Sequence, residues 1–123
     1  MEAMAAVNET ELYCETEGSG EPVVFIHGFS LDTRMWDEQF ATFAEKRRAI
    51  RYDMRGFGRS ASPATTPFSH AADLHALLEH LEASPAHVVG LSMGGRIALQ
   101  YALEYPTSIS SLTVAGSALD GHD

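Results

Sequence analysis

The sequence predicts an α/β protein, a mostly parallel sheet with helices on both faces. Two observations carry this. Short runs rich in Val, Ile and other apolar residues, at 23–27, 48–53, 87–91 and 111–117, have the length of strands. Between them lie longer stretches whose apolar residues recur at helical spacing. Strands that alternate with amphipathic helices build a parallel sheet, because each crossover lays a helix on one face or the other.

The elements follow in order. Residues 5–17 read as two short strands around a turn at Asn8-Glu9, with Leu12 and Cys14 alternating with polar neighbours. Residues 17–22, EGSGEP, form a loop by their glycines and proline. VVFIH, 23–27, is a continuous apolar run ended by Gly28, as in a strand buried on both faces. Asp32 or Thr33 caps a helix to about Lys46, with Trp36, Phe40 and Phe43 on one face. RAIRYD, 48–53, is a strand, and residues 54–67 are loop. A helix over about 69–83 carries the apolar stripe Leu74, Leu77, Leu78 and Leu81, and Ser84-Pro85 breaks it. HVVGL is a strand, the helix after it stops at Pro106, and SLTVAGS is a strand again. With no internal repeat or linker, residues 1–123 read as one domain of about six strands.

Bulk properties exclude some functions. Eight basic against seventeen acidic residues give a formal charge of −9. Nucleic acid and anionic membranes need a basic face, so neither is an expected partner. Cys14 is the only cysteine, which precludes an intrachain disulfide and suits a reducing compartment. The first residues carry no basic, apolar leader, and no window approaches the roughly 18 apolar residues of a membrane span. The expected location is cytoplasmic.

Chemistry concentrates at three strand ends: 27–29, 53–60 and 90–95. Ligands of open parallel sheets bind beyond the carboxyl ends of the strands. Gly90-Leu91-Ser92-Met93-Gly94 is a G-x-S-x-G motif between a strand and a helix, the position a nucleophile elbow requires. Ser92 is the candidate nucleophile. Gly90 and Gly94 are explained if a Cβ at either would strike a neighbouring strand or helix. The helix behind Ser92 places its positive end under a developing oxyanion. The oxyanion hole of this mechanism is two backbone N–H groups, here assigned to Met93 and, from the loop after the third strand, Phe29. His27-Gly28 has two readings: a plain strand terminator, or the element that lets this loop approach.

In order and strand position, HGF, DMRGFGRS and GLSMGG resemble the N-terminal half of an α/β-hydrolase fold protein, over about residues 7–119. The pattern is similar to esterases, non-haem haloperoxidase-like enzymes and carbon–carbon bond hydrolases. Dehalogenases and epoxide hydrolases carry aspartate where Ser92 stands. The resemblance implies a truncated fold, without later strands or cap. It implies that Gly56 and Gly58 shape a structural loop braced by Asp53 and Arg55. It also implies a triad whose acid and histidine follow later strands, so that none here matches the family histidine. Asp120 and Asp123 follow the sixth strand but would lack an imidazole. His70, His75 and His80 fall on different helix faces, His87 starts a strand at the far end of the sheet, and His122 lies in the tail. Arg96 reads as a surface or bracing residue. No metal or cofactor is expected.

The expected function is a serine hydrolase for a small carboxylic ester or related acyl substrate, inactive as this chain alone. The alternatives are an inactive fragment or split half that needs a complementing chain, or a ligand-binding module. The strand at 111–116 would be an unpaired edge, open to self-association or to a C-terminal half.

Overall fold

The chain opens on a hairpin. In the computed structural model, which describes residues 1–62 and 67–116, β1 (Glu2–Val7) pairs antiparallel with β2 (Thr10–Glu17), Val7 opposite Thr10. Asn8 and Glu9 turn the chain at φ 49° and 61°. Two successive positive φ values give a tight turn whose twist matches that of the flanking strands. Pairing runs out to Glu2 opposite Glu15, so β1 begins three residues before the expected start.

Four strands then run parallel: β3 (Pro22–Ile26), β4 (Arg48–Tyr52), β5 (Ala86–Leu91) and β6 (Ile109–Ala115). The spatial order is β1-β2-β4-β3-β5-β6, with β2 antiparallel to β4. From β3 the chain moves outward to β4, then returns across β3 to β5 and continues to β6. The winding therefore reverses between β3 and β5, where an open α/β sheet forms a crevice at its carboxyl end. His27 and Ser92 follow these two strands.

The helices lie on both faces, as alternating strand residues dictate. Val24, Ile26, Ile50, Tyr52 and Val88 pack with Leu74, Leu77, Leu78, Ile97, Ala98 and Tyr101 of α2 (His70–His80) and α3 (Met93–Glu104). Val23, Phe25 and Ala49 point the other way and pack with Trp36 and Phe40. No helix among the described residues is long and apolar enough to cross a membrane.

Two helices are shorter than their periodicity predicts. Asp32 caps only a 3₁₀ turn, Thr33–Trp36, by accepting the Arg34 N–H, and α1 covers Asp37–Phe43. Past Phe43 the bonds tighten: Lys46 and Arg47 both donate to the Phe43 carbonyl at 3.1 and 2.8 Å. The second helix ends at His80 in a Schellman closure, with Ala83 N–H on Leu78 O at 2.8 Å and Glu82 N–H on Glu79 O at 3.1 Å. Glu82 takes the left-handed position, φ 53°, that glycine usually fills. Burial of Ala83 in the core supports that geometry.

β6 closes one side of the described sheet. Ser110, Ser111, Leu112 and Thr113 are all exposed.

Candidate active site

Ser92 sits between β5 and α3 at φ 55°, ψ −116°. A side chain rarely occupies this region, and holding one there costs on the order of 1–3 kcal/mol. Three contacts impose the conformation. The Ser92 N–H donates to Ala115 O of β6 at 2.9 Å. A Cβ on Gly90 would lie 2.2 Å from the Gly94 carbonyl oxygen, and one on Gly94 would lie 2.2 Å from Ile26 O and 2.6 Å from His27 O. So the last turn of β5, the first turn of α3 and the end of β3 touch through bare backbone. Glycine at 90 and 94 is what allows a strand to become a helix within one residue.

The 27–29 segment lies against this turn. A Cβ on Gly28 would stand 3.6 Å from Ser92 Cβ and 3.4 Å from Leu91 O. His27 is fully buried, and both ring nitrogens are committed to backbone. Nε2 accepts the Met54 N–H at 2.9 Å, which leaves Nδ1 to carry the proton that it donates to Gly28 O at 2.8 Å. The same carbonyl accepts the Leu31 N–H at 3.1 Å. Burial holds the His27 pKa below its ordinary value, against weaker opposing effects of the Gly28 bond and of Asp53 and Asp32. His27 is thus a neutral cross-brace between two loops.

This brace has a geometric consequence. Gly28 C=O and Phe29 N–H belong to one planar trans peptide, so they point in opposite directions. Two donors on the carbonyl therefore fix where the Phe29 N–H points. The Phe29 ring is 68% exposed and packs edge-on against Phe57 at 5.6 Å; Phe57 packs in turn on the His27 ring at 5.4 Å. Met93 is the first residue of α3, and a first-turn N–H has no partner within its own helix.

The 53–60 loop is braced by charge. Buried Asp53 accepts Thr33 N–H at 2.8 Å and Arg59 N–H at 2.9 Å, and a Cβ on Gly58 would lie 2.2 Å from its Oδ2. Gly58, at φ 52°, is required for that approach. Arg55 makes a bidentate pair with Asp73 of α2, Nε to Oδ2 at 2.9 Å and Nη2 to Oδ1 at 2.7 Å, with both residues almost wholly buried. Asn8 donates to Asp73 Oδ1 at 2.7 Å, Arg55 Nη2 donates to Asn8 O at 3.1 Å, and the guanidinium lies 4.3 Å from the Phe68 ring centre. The hairpin turn, the loop and α2 meet in this network. Asp73 is a residue that the sequence reading passed over. Its signal was an acid four residues before Leu77, inside the apolar stripe.

Of the other candidates, His70 and Arg96 line a depression together with Met93, and the rest that the structure describes lie away from Ser92. His75 stacks flat on Tyr105 at 4.0 Å. His70 opens α2 and His80 ends it, and burial lowers the pKa of His70. His87 lies near the start of β5, at the far end from Ser92. Arg96 is exposed on the first turn of α3. Asp120, His122 and Asp123 lie outside the described residues. Among the described residues no three His, Cys, Asp or Glu side chains converge to hold a metal ion.

Comparison with known proteins agrees with this architecture. Residues 21–123 match the family model described as alpha/beta hydrolase fold. The chain is similar to 2-hydroxymuconate semialdehyde hydrolase of Pseudomonas sp., with 36% identity over 123 residues, covering 95% of this chain and 43% of that protein. It is similar to Lipase 3 of Moraxella sp., with 35% identity over 121 residues, 92% of this chain and 37% of that one. Among solved structures, an esterase from Exiguobacterium antarcticum superposes with a TM-score of 0.88 at 34% identity, over 97% of this chain and 46% of its own. The chain thus spans less than half the length of each of these relatives.

Proposed function

The chain belongs to the α/β-hydrolase fold family, and from that premise we propose that Ser92 is the nucleophile of a serine hydrolase acting on a small carboxylic ester or related acyl substrate. The observation that carries this is the backbone of Ser92. A serine held at φ 55° between a strand and a helix is a strained backbone, and strain of this kind collects at functional sites. Similarity to a lipase and an esterase supports the acyl class.

The chemistry follows from the groups around it. Ser92 Oγ attacks the substrate carbonyl carbon and its proton passes to a base. The carbonyl oxygen becomes an oxyanion and accepts from Met93 N–H and Phe29 N–H. Met93 adds the positive end of a 12-residue helix. Phe29 adds a donor whose direction the His27 brace sets. Collapse of the tetrahedral intermediate expels the alcohol and leaves an acyl-serine, which water then hydrolyses. The reaction needs no metal or cofactor. Phe29 and Phe57 give the substrate an apolar wall.

Base and acid are assigned outside the described residues. His27 has no nitrogen to spare, and His87 is at the wrong end. Serine without an activating base is a weak nucleophile at neutral pH. The match to less than half of each relative supports a reading in which this chain supplies the nucleophile and oxyanion donors while the remaining part of the fold supplies the base. β6, exposed over residues 110–113, is the edge on which that part would pair.

The test is hydrolysis of p-nitrophenyl acetate by the 123-residue chain alone and by the chain joined to the remaining half of the fold. We expect Ser92-dependent turnover only in the joined protein, abolished by Ser92→Ala. Ser92-dependent turnover near about 10 s⁻¹ in the chain alone would overturn the assignment of the base. Turnover in the joined protein that survives Ser92→Ala would overturn the nucleophile.

A further inference from the structure

Beside the Ser92 turn, α2 and α3 leave a groove that the reaction proposed above does not use. Its cavity of about 290 Å³ is walled by Ser69 and His70 at the start of α2 and by Met93, Arg96, Ile97 and Gln100 of α3. The four α3 positions are spaced i, i+3, i+4 and i+7, so they form one stripe along the helix. The stripe begins at Met93, the residue after Ser92. A substrate held on the Met93 N–H therefore lies at the mouth of the groove. Entry is through the Ser92 crevice itself and needs no open sheet edge.

The lining has a definite chemistry. Arg96 is the one charged residue among the described residues that wall it, in a chain of formal charge −9. Its guanidinium is a planar fork of donors that matches a carboxylate. His70 lines the groove from the α2 side. Its ring packs edge-on against Phe68 at 5.0 Å. Ser69 Oγ caps α2 by accepting the Ala72 N–H at 3.1 Å, which fixes the chain beside His70. Burial lowers the His70 pKa. At neutral pH the ring is uncharged and adds an N–H donor without a second positive charge. Met93 and Ile97 give the groove apolar surface next to these polar groups. An apolar stem with an anionic end is the complement of this lining.

We propose that this groove is an acyl subsite of the Ser92 hydrolase, in which Arg96 and His70 select esters whose acyl chain ends in a carboxylate. Monoesters of short dicarboxylic acids are the substrate class. The inference rests on the Ser92 reading. Arg96 and His70 hold the distal carboxylate and take no part in bond making.

Two p-nitrophenyl esters of equal chain length test it, the monoester of glutarate and the pentanoate, with the chain joined to the remaining half of the fold. A hydrogen bond to a charged group corresponds to roughly tenfold or more in binding. We expect kcat/KM to favour the glutarate ester by at least about tenfold. The preference should collapse to about one in Arg96→Gln and survive in part in Arg96→Lys, which keeps the charge. Equal kcat/KM for the two esters, or a preference unchanged in Arg96→Gln, would overturn the proposal. Turnover of the pentanoate that depends on Ser92 tests the Ser92 reading separately. Binding gives a readout apart from turnover, because the groove walls lie wholly in this chain. NMR titration of the 123-residue chain with monomethyl glutarate should shift the His70 ring and the amides of 96–100, whereas methyl pentanoate should not. Equal shifts with both compounds, no shifts with either, or shifts that persist in Arg96→Gln would overturn the subsite.

Discussion

His27→Ala removes both ring hydrogen bonds, the one to Gly28 O within the 27–29 segment and the one that joins this segment to Met54 N–H of the 53–60 loop. The Met54 N–H loses its acceptor while Met54 stays wholly buried, and an orphaned buried donor costs about 1–3 kcal/mol. Deleting the ring also leaves a space beneath Phe57. Truncating a larger buried aromatic costs about 3–5 kcal/mol, so the combined loss is on the order of 3–5 kcal/mol. Small domains have only about 5–15 kcal/mol in all. Urea unfolding reads the loss, and hydrogen exchange at the Phe29 amide reads the freed peptide. His27→Gln, which keeps one donor and one acceptor, should lose less. The pH dependence gives a second reading. Burial sets the folded pKa of His27 below its ordinary 6.5. Below pH 6.5 the unfolded chain therefore takes up a proton that the folded chain refuses. Stability then falls as the pH drops, until the folded pKa is reached. His70 contributes in the same direction, so the His27 part is the difference between the native chain and His27→Gln. A loss under about 1 kcal/mol in His27→Ala, with Phe29 exchange unchanged, would refute the brace.

Other outcomes test the rest of the frame. Asp73→Ala leaves the Arg55 guanidinium buried without its carboxylate and should cost about 3–5 kcal/mol in urea unfolding; a surface-like cost below about 0.5 kcal/mol would contradict the network. Gly94→Ala forces a Cβ to 2.2 Å from Ile26 O, so calorimetry should show a large fall in Tm, whereas an unchanged Tm would mean that β3 and α3 are not in backbone contact. Sedimentation at micromolar concentration should find the chain heavier than 13.3 kDa, because β6 offers unpaired N–H and C=O groups without a lysine or proline to blunt them. A single monomeric species, with slowly exchanging amides at 111–116, would show that the edge protects itself.

What the sequence disclosed depended on how local the cause was. The strand–helix alternation, the turn at Asn8-Glu9 and the strand-to-helix position of Ser92 each rest on neighbouring residues, and each stands where the pattern puts it. Helix ends were less legible. The Trp36, Phe40 and Phe43 spacing fits one helix, but tertiary contacts divide it: Thr33 N–H is pinned on Asp53, twenty residues away. Nothing at Glu82 signals a left-handed residue, because its cause is the burial of Ala83. Glycines 90 and 94 declared a close approach, but not that the surfaces approached are each other and the end of β3. His27 was legible as part of a motif. That its nitrogens hold Gly28 O and Met54 N–H required the loop after β4 to be in place. The Arg55–Asp73 pair was the least legible, since its network joins three separate segments, the hairpin turn, the 53–60 loop and α2.

The central claim is that Ser92 and the peptide N–H groups of Phe29 and Met93 form one site. It is tested most directly by a structure of the phosphonate adduct in the chain joined to the remaining half of the fold. The account predicts phosphorus bonded to Ser92 Oγ, with one phosphonyl oxygen about 2.7–3.1 Å from both N–H nitrogens. An adduct on Ser92 whose oxygens face away from both N–H groups, or no adduct on Ser92 in an active protein, would contradict it.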